Sequence, residues 1–114
     1  MIIAENRARY DLEIYRGASY LKDIWIKIDG ELLDLTDFIA KAQIRPSENS
    51  QVLTSELTCT IYANEGRIRL SLTSAETAEI DKGIYHWDFK LTDNFGYVFY
   101  WIYGQVFVDG RVTE

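Results

Sequence analysis

A chain of 114 residues has the size of one domain, and a hydrophobic fraction of 47% gives it a core, which excludes a disordered tail. Twelve Lys and Arg against 18 Asp and Glu leave a formal charge of −6, without the basic cluster on which nucleic-acid binding draws. A single cysteine excludes an internal disulfide, and no apolar run approaches the roughly 20 residues that span a bilayer.

After an arm over residues 1–9, whose Met1-Ile2-Ile3 lacks the basic leader of a signal peptide, Tyr10, Leu12 and Ile14 alternate with Asp11, Glu13 and Tyr15. Such period-two alternation marks a half-buried strand. Arg16-Gly17-Ala18-Ser19 stops it, and a second strand covers about Leu21 to Ile28. There Ile24, Ile26 and Ile28 share a face, with Trp25 and Lys27 on the other. Asp29-Gly30 is a turn dipeptide that returns the chain. Glu31 to Thr36 reads as a short strand or extended connection. Phe38 to Arg45 puts Phe38, Ala40, Ala42 and Ile44 on one face, and reads as strand in spite of its alanines. Pro46-Ser47-Glu48-Asn49-Ser50 is an exposed loop.

A strand from about Leu53 to Tyr62 follows, then the turn Ala63-Asn64-Glu65-Gly66. Arg67 to Leu72 alternates cleanly, with Ile68, Leu70 and Leu72 inward. Thr73 or Ser74 then caps the one helical stretch, one or two turns with Glu76 and Glu79 near its start, Ala78 and Ile80 as apolar contacts and Gly83 as the stop.

The chain culminates in Lys82 to Val108, two aromatic-rich runs around Asp93-Asn94-Phe95-Gly96, which is a β-hairpin signal. The first run keeps Tyr85, Trp87, Phe89 and Leu91 on one face and His86, Asp88, Lys90 and Thr92 on the other. The second is apolar on both faces: Tyr97, Phe99, Trp101, Tyr103 and Phe107 on one, Val98, Tyr100, Ile102, Val106 and Val108 opposite. One face closes the core. The other is covered either by the N-terminal arm or the loop after Arg45, or by another protein chain. Tyr97, Phe99, Tyr100, Trp101, Tyr103 and Phe107 are therefore the candidate contact residues. Seven to nine short strands with a turn every 8 to 12 residues predict an all-β, antiparallel sandwich in a single domain over 1–114.

The chemistry-bearing residues are sparse. A zinc site needs several His and Cys, and this chain has one of each, so no metal is expected. Asp34, Asp37, Asp93 and Asp109 fall near turns and are read as turn caps rather than calcium ligands. Asp88 beside His86 shares its face with Lys90 and Thr92, the pattern of a solvated surface. Cys59 alternates with Leu57 and Ile61 as a small core side chain. Arg67 and Arg69, with Arg45, form a small basic face or surface ion pairs. No phosphate loop or nucleophile elbow occurs, so neither enzyme activity nor a cofactor is expected.

Asp81-Lys82-Gly83-Ile84-Tyr85-His86-Trp87 resembles the immunoglobulin-type corner, in which a short turn or helix crosses the sheets and a Tyr opens the next strand, its hydroxyl bonded to upstream backbone. Trp87 stands where antibody domains carry a cysteine, and Trp25 is its candidate counterpart in the facing sheet. The order of several pieces also resembles small virion proteins of tailed bacteriophages, in particular the immunoglobulin-like sandwich that begins some baseplate and tail proteins. These pieces are Tyr15-Arg16-Gly17, Asp34-Leu35-Thr36 leading into Phe38 to Arg45, Ile68 to Thr73 before the helix, the corner itself, and Tyr103 to Val108 with Val112-Thr113. The resemblance implies a non-enzymatic assembly protein of tail, baseplate or capsid, located in the virion, whose partners are copies of itself or other virion proteins, with no nucleic acid and no membrane. Two other classes compete with it: a monomeric binding module, such as a carbohydrate-binding sandwich, and an acidic phage-encoded inhibitor of a host protein.

Overall fold

The computed structural model describes residues 8–110 and the backbone of Ile2–Ile3. Among the described residues the strands are β1 (Ile2–Ile3), β2 (Ala8–Arg9), β3 (Leu12–Tyr15), β4 (Tyr20–Ile28) and β5 (Glu31–Leu32). They continue as β6 (Ile39–Arg45), β7 (Ser55–Tyr62), β8 (Arg67–Leu72), β9 (Gly83–Thr92) and β10 (Val98–Asp109). One short helix, α1 (Ser74–Ala78), precedes β9. The all-β class read from the alternation is the class of the fold.

β7 is the strand that makes one curled sheet into two layers. Its first residues, Ser55 to Leu57, pair with Ile44 to Ala42 of β6, while Thr58 to Tyr62 pair with Ser71 to Arg67 of β8. One layer is thus β4-β8-β7 and the other β6-β9-β10. These are the partners of an immunoglobulin-type sandwich, with α1 at the corner between the layers. The body is antiparallel, but the N-terminal pieces are not: β2 and β3 both run parallel to β10, and β1 runs parallel to β4. The stretch read as an arm therefore supplies two strands, β1 and β2; residues 4–7 and the closing Val112-Thr113 lie outside the described residues.

Local sequence explains the connections. Asp29 and Gly30 both have positive φ (52° and 80°), the primed turn whose twist matches the strands it joins, and Ile28 sits opposite Glu31. In the C-terminal hairpin Asp93 N–H bonds Tyr97 O at 2.9 Å, and Gly96 takes the left-handed conformation at φ 89°. The Asp93 carboxylate accepts the Phe95 and Tyr97 amides, each at 2.9 Å. Helix α1 begins with a reciprocal cap: Thr73 Oγ1 accepts the Glu76 amide at 3.1 Å and the Glu76 carboxylate accepts the Thr73 amide at 2.9 Å. The helix also carries Thr77, a buried polar side chain whose hydroxyl accepts from Gly17 N–H (3.0 Å) and donates to Ala18 O (2.8 Å). That pair fixes the turn between β3 and β4 against the corner.

Inward-pointing Ile24, Ile26, Ile68, Leu70 and Leu72 of one layer meet Ala42, Ile44, Trp87, Phe89, Leu91, Ile102, Val106 and Val108 of the other, closed by Leu12, Ile14, Leu35, Leu57 and Ile80. Trp25 is not the counterpart of Trp87. It sits between buried Ile24 and Ile26, on the outer side of β4 and opposite Arg67, because alternation sends neighbours of core residues outward.

At the edge of β10 away from β9, between its pairings with β2 and β3, the chain leans over Gly104. Tyr10 N–H bonds Tyr103 O at 2.8 Å, and Tyr10 O turns inward to accept the buried Trp87 indole N–H at 2.8 Å. The Asp11 carboxylate takes the place of the displaced strand carbonyl and accepts the Gln105 amide at 2.9 Å. That amide, aided by Arg9 at 3.2 Å, holds the Asp11 carboxyl below the usual carboxylate range. A Cβ on residue 104 would overlap the Tyr10 carbonyl oxygen and come within 2.8 Å of Asp11 Oδ1. Gly104→Ala is therefore expected to destabilise the fold by about 1–3 kcal/mol in denaturant unfolding. Gly110→Ala, with open space around it, should leave the midpoint in place.

On the other layer Asp23 bridges Arg67 and Arg69, two of the arginines read from the sequence as a basic face or surface ion pairs. Arg69 approaches it through Nε (2.8 Å) and Nη2 (3.2 Å), and Arg67 through Nη1 (3.2 Å). Arg67 also lies 3.9 Å from the Tyr62 ring centroid and reaches Glu65 at 3.1 Å. Arg45 makes none of these contacts; it bonds Gln43 and the Ser50 and Gln51 carbonyls. The Arg69 hydrogen bonds, then those of Arg67, hold the Asp23 carboxyl below its ordinary value. A depressed carboxylate adds stability above its unfolded-state pKa, near 3.9, and loses it as pH falls through the folded value. Asp23→Asn should thus cost about 1 kcal/mol at neutral pH, solvent screening included, with the gap to wild type closing below about pH 4 in thermal melts.

Candidate docking face and polar groove

The outer face of β6-β9-β10 is organised in cross-strand rows, set by register alone. At the hairpin end Ile39 and Val98 flank Thr92. The next row holds Lys41 and Lys90. Then comes Gln43-Asp88-Tyr103, and after it Arg45-His86-Gln105. The far row pairs Ile84 with Phe107. Residues directly opposite one another share a face, so each row is a contiguous surface strip.

A bulge in β10 decides which aromatic goes where. Phe99 is opposite Leu91 and Ile102 is opposite Phe89, so Tyr100 and Trp101 together face Lys90. One extra residue reverses the alternation beyond it. Phe99 consequently belongs with buried Leu91, and its ring stacks on Trp101 with centroids 4.8 Å apart. Trp101 packs against the core. Tyr103 and Phe107 lie on the outer side, opposite Asp88 and Ile84. The single aromatic stripe expected over Tyr97, Phe99, Trp101, Tyr103 and Phe107 is therefore split. Ile102, Val106 and Val108 do share the core face, but Val98 and Tyr100 are exposed.

The exposed part of the aromatic set is concentrated at the hairpin end. Phe95 is 80% exposed, Tyr97 68%, Ile39 68% and Tyr100 47%. Phe95 and Ile39 were not among the sequence candidates; only strand register brings Ile39 to the side of the hairpin. Phe107 is half-buried, beside a hollow lined by Tyr10, Leu12, Tyr20 and Lys22. In that region Lys22 Nζ stands 5.2 Å from the Tyr10 ring centroid, and burial pushes the Tyr20 phenol up.

The corner residues stand at the opposite end of β9. The Tyr85 hydroxyl donates to Asp81 O at 2.6 Å, four residues upstream, and a Cβ on Gly83 would meet the Tyr85 ring at an ordinary contact distance of 3.7 Å. Trp87 is buried, with its indole bonded to Tyr10 as described.

His86 and Asp88 open into a groove of about 390 Å³ whose wall is the loop after Arg45. His86 Nδ1 is 3.8 Å from Glu48 Oε1, and the Glu48 side chain is 75% exposed. Asp88 is exposed as well. The groove thus offers solvent-facing hydrogen-bonding groups rather than a desolvated acid–base pair. Cys59 lies on β7, half-buried, and burial pushes its thiol up to about 12, far from a reactive thiolate at neutral pH. Asp34 and Asp93 cap their turns through the Thr36 amide (3.0 Å) and the two hairpin amides. Among the described residues no three His, Cys, Asp or Glu gather at one point, and no helix is long and apolar enough to cross a membrane.

No family model and no curated protein sequence matches the chain. Solved structures are similar to it. The N-terminal domain of phage TP901-1 ORF48 has a TM-score of 0.59 over 95% of this chain and 94% of that one, at 9% sequence identity. CopC from Methylosinus trichosporium OB3b has a TM-score of 0.49 over 90% of this chain and 89% of that one, at 16% identity. At 9% identity the likeness to the phage domain is one of fold.

Proposed function

We propose that this protein is a non-enzymatic building block of a bacteriophage particle, in its tail, baseplate or capsid, and that it works through protein–protein contacts. The fold it has in common with a phage protein's N-terminal domain supports this reading, as does the order of sequence pieces resembling small virion proteins. The observation that carries it is the apolar hairpin end. Val98, Tyr100 and Ile39 expose their side chains on β10 and β6, and Phe95 and Tyr97 do so from the hairpin loop that joins β9 to β10. Large rings on a fixed scaffold lose little conformational entropy on docking, and each contributes roughly 25 cal/mol per Å² of apolar surface covered. The partners are further copies of the chain or neighbouring virion proteins. The net charge of −6 argues against nucleic acid as the partner.

Mass spectrometry of purified particles, produced with wild-type or Tyr97→Ser/Tyr100→Ser protein, tests the reading. Wild-type protein is expected in the particle at stoichiometric level. The double variant, folded by circular dichroism, should be incorporated about tenfold less or worse, since losing two central aromatics removes well over 1.4 kcal/mol from an interface. Absence of the wild-type protein from particles, with tight capture of one host protein instead, would support the inhibitor class and overturn this one.

A further inference from the structure

The geometry points to a binding site for a neutral, hydroxyl-rich ligand, a saccharide, in the groove over β6, β9 and β10. Its floor consists of two cross-strand rows, Gln43-Asp88-Tyr103 and Arg45-His86-Gln105. Members of a row stand about 5 Å apart and the rows roughly 7 Å apart, which is the scale of a sugar ring. Because these positions lie on central strands, the floor needs no rearrangement to bind. The groove volume of about 390 Å³ falls within the range of small-molecule sites, and a hollow of about 210 Å³ extends it past Gln105 to Arg9.

The polar groups are already oriented. Arg45 donates to Gln43 Oε1 at 2.6 Å, which turns the Gln43 carboxamide so that its N–H₂ is left to donate. Arg9 does the same to Gln105, donating to Oε1 at 3.2 Å. Asp88 stands beside Gln43 in one row and diagonally across from Gln105, whose own neighbour is His86, and its carboxylate is exposed to solvent. An acceptor with one fixed donor beside it and a second on the diagonal matches adjacent hydroxyls, each of which donates one hydrogen bond and accepts another. Charge selects against other ligands. Arg9 is paired with Asp11, and Arg45 lines the groove together with Glu48 and Asp88, so an anion meets carboxylates there and a cation a guanidinium. Tyr103 adds one ring to the lining, the apolar contact that the carbon face of a sugar takes.

This assignment goes beyond the assembly reading and uses a different part of the same face from the apolar hairpin end. Titration of ¹⁵N-labelled protein with D-glucose, D-galactose, N-acetyl-D-glucosamine and L-rhamnose, and separately with inorganic phosphate, tests it. Saturable shifts centred on His86 and Tyr103 are expected for at least one sugar in the millimolar range or tighter. Asp88→Ala should weaken that binding about tenfold or more, as loss of hydrogen bonds to a charged acceptor does. Lys41→Ala, one row away, should leave it unchanged. No saturable shift with any of the four sugars overturns the site, as does binding that survives Asp88→Ala or phosphate binding more tightly to the same residues. A protein that enters particles yet binds no sugar would lose this assignment and keep the assembly reading.

Discussion

The close passage of the chain over Gly104 is the constraint on which the rest of the structure depends. An immunoglobulin-type sandwich of the antibody kind clamps its layers with a disulfide, and this chain has one cysteine. Here the indole of Trp87 fills the core, and its N–H reaches out of it to hold Tyr10 O. Burial of a ring that size contributes stability of the order of 3–5 kcal/mol, comparable with the 2–4 kcal/mol of a disulfide. The hydrogen bond does something the burial does not. It anchors the N-terminal strand to the edge of β10, where β3 then continues the ladder through Val106 to Asp109. Only a residue without a Cβ permits that approach, so Gly104, Trp87 and Tyr10 act as one unit.

Beyond that edge lies the broad outer face of β6-β9-β10. Its rows run from apolar at the hairpin, through two lysines, to a polar groove and back to Ile84 and Phe107. Such segregation differs from the scattered polarity of a merely solvated sheet. The lysine row separates the apolar end from the groove. The bulge at Tyr100 and Trp101 creates this division, because it sends Phe99 to the core side and Tyr103 to the groove.

Much of the fold was legible in the sequence because its signals are local. Ile68, Leu70 and Leu72 against Arg67, Arg69 and Ser71 can only be one thing at period two. Asp29-Gly30 supplies the two positive φ values of its turn. Thr73 and Glu76 form the cap that opens α1, and Asp93 closes the hairpin. Tyr85 stands where the corner needs a phenol, and its hydroxyl reaches Asp81 O. Each of these depends on residues within a few positions of one another, where propensity and hydrogen-bond geometry suffice.

The candidate site was less legible, for the opposite reason. Alternation, the turn chemistry and the two-sided apolarity of the last strand are properties of a chain read along itself, and these the sequence determined. Which aromatic of β10 faces solvent depends on one inserted residue, and a bulge is a property of two paired strands. Gln43, Asp88 and Tyr103 become one row only when β6 and β10 take their places on either side of β9. Trp25 and Trp87 look alike in sequence, yet one lies outside the sandwich and the other inside. The parallel N-terminal edge, the pairing of Asp23 with Arg69 and the need for glycine at 104 were likewise decided by tertiary structure alone. They rest on contacts between residues far apart in the chain, 46 positions for Asp23 with Arg69 and 94 for Asp11 with Gln105, and the energy of such contacts has no local trace in the chain.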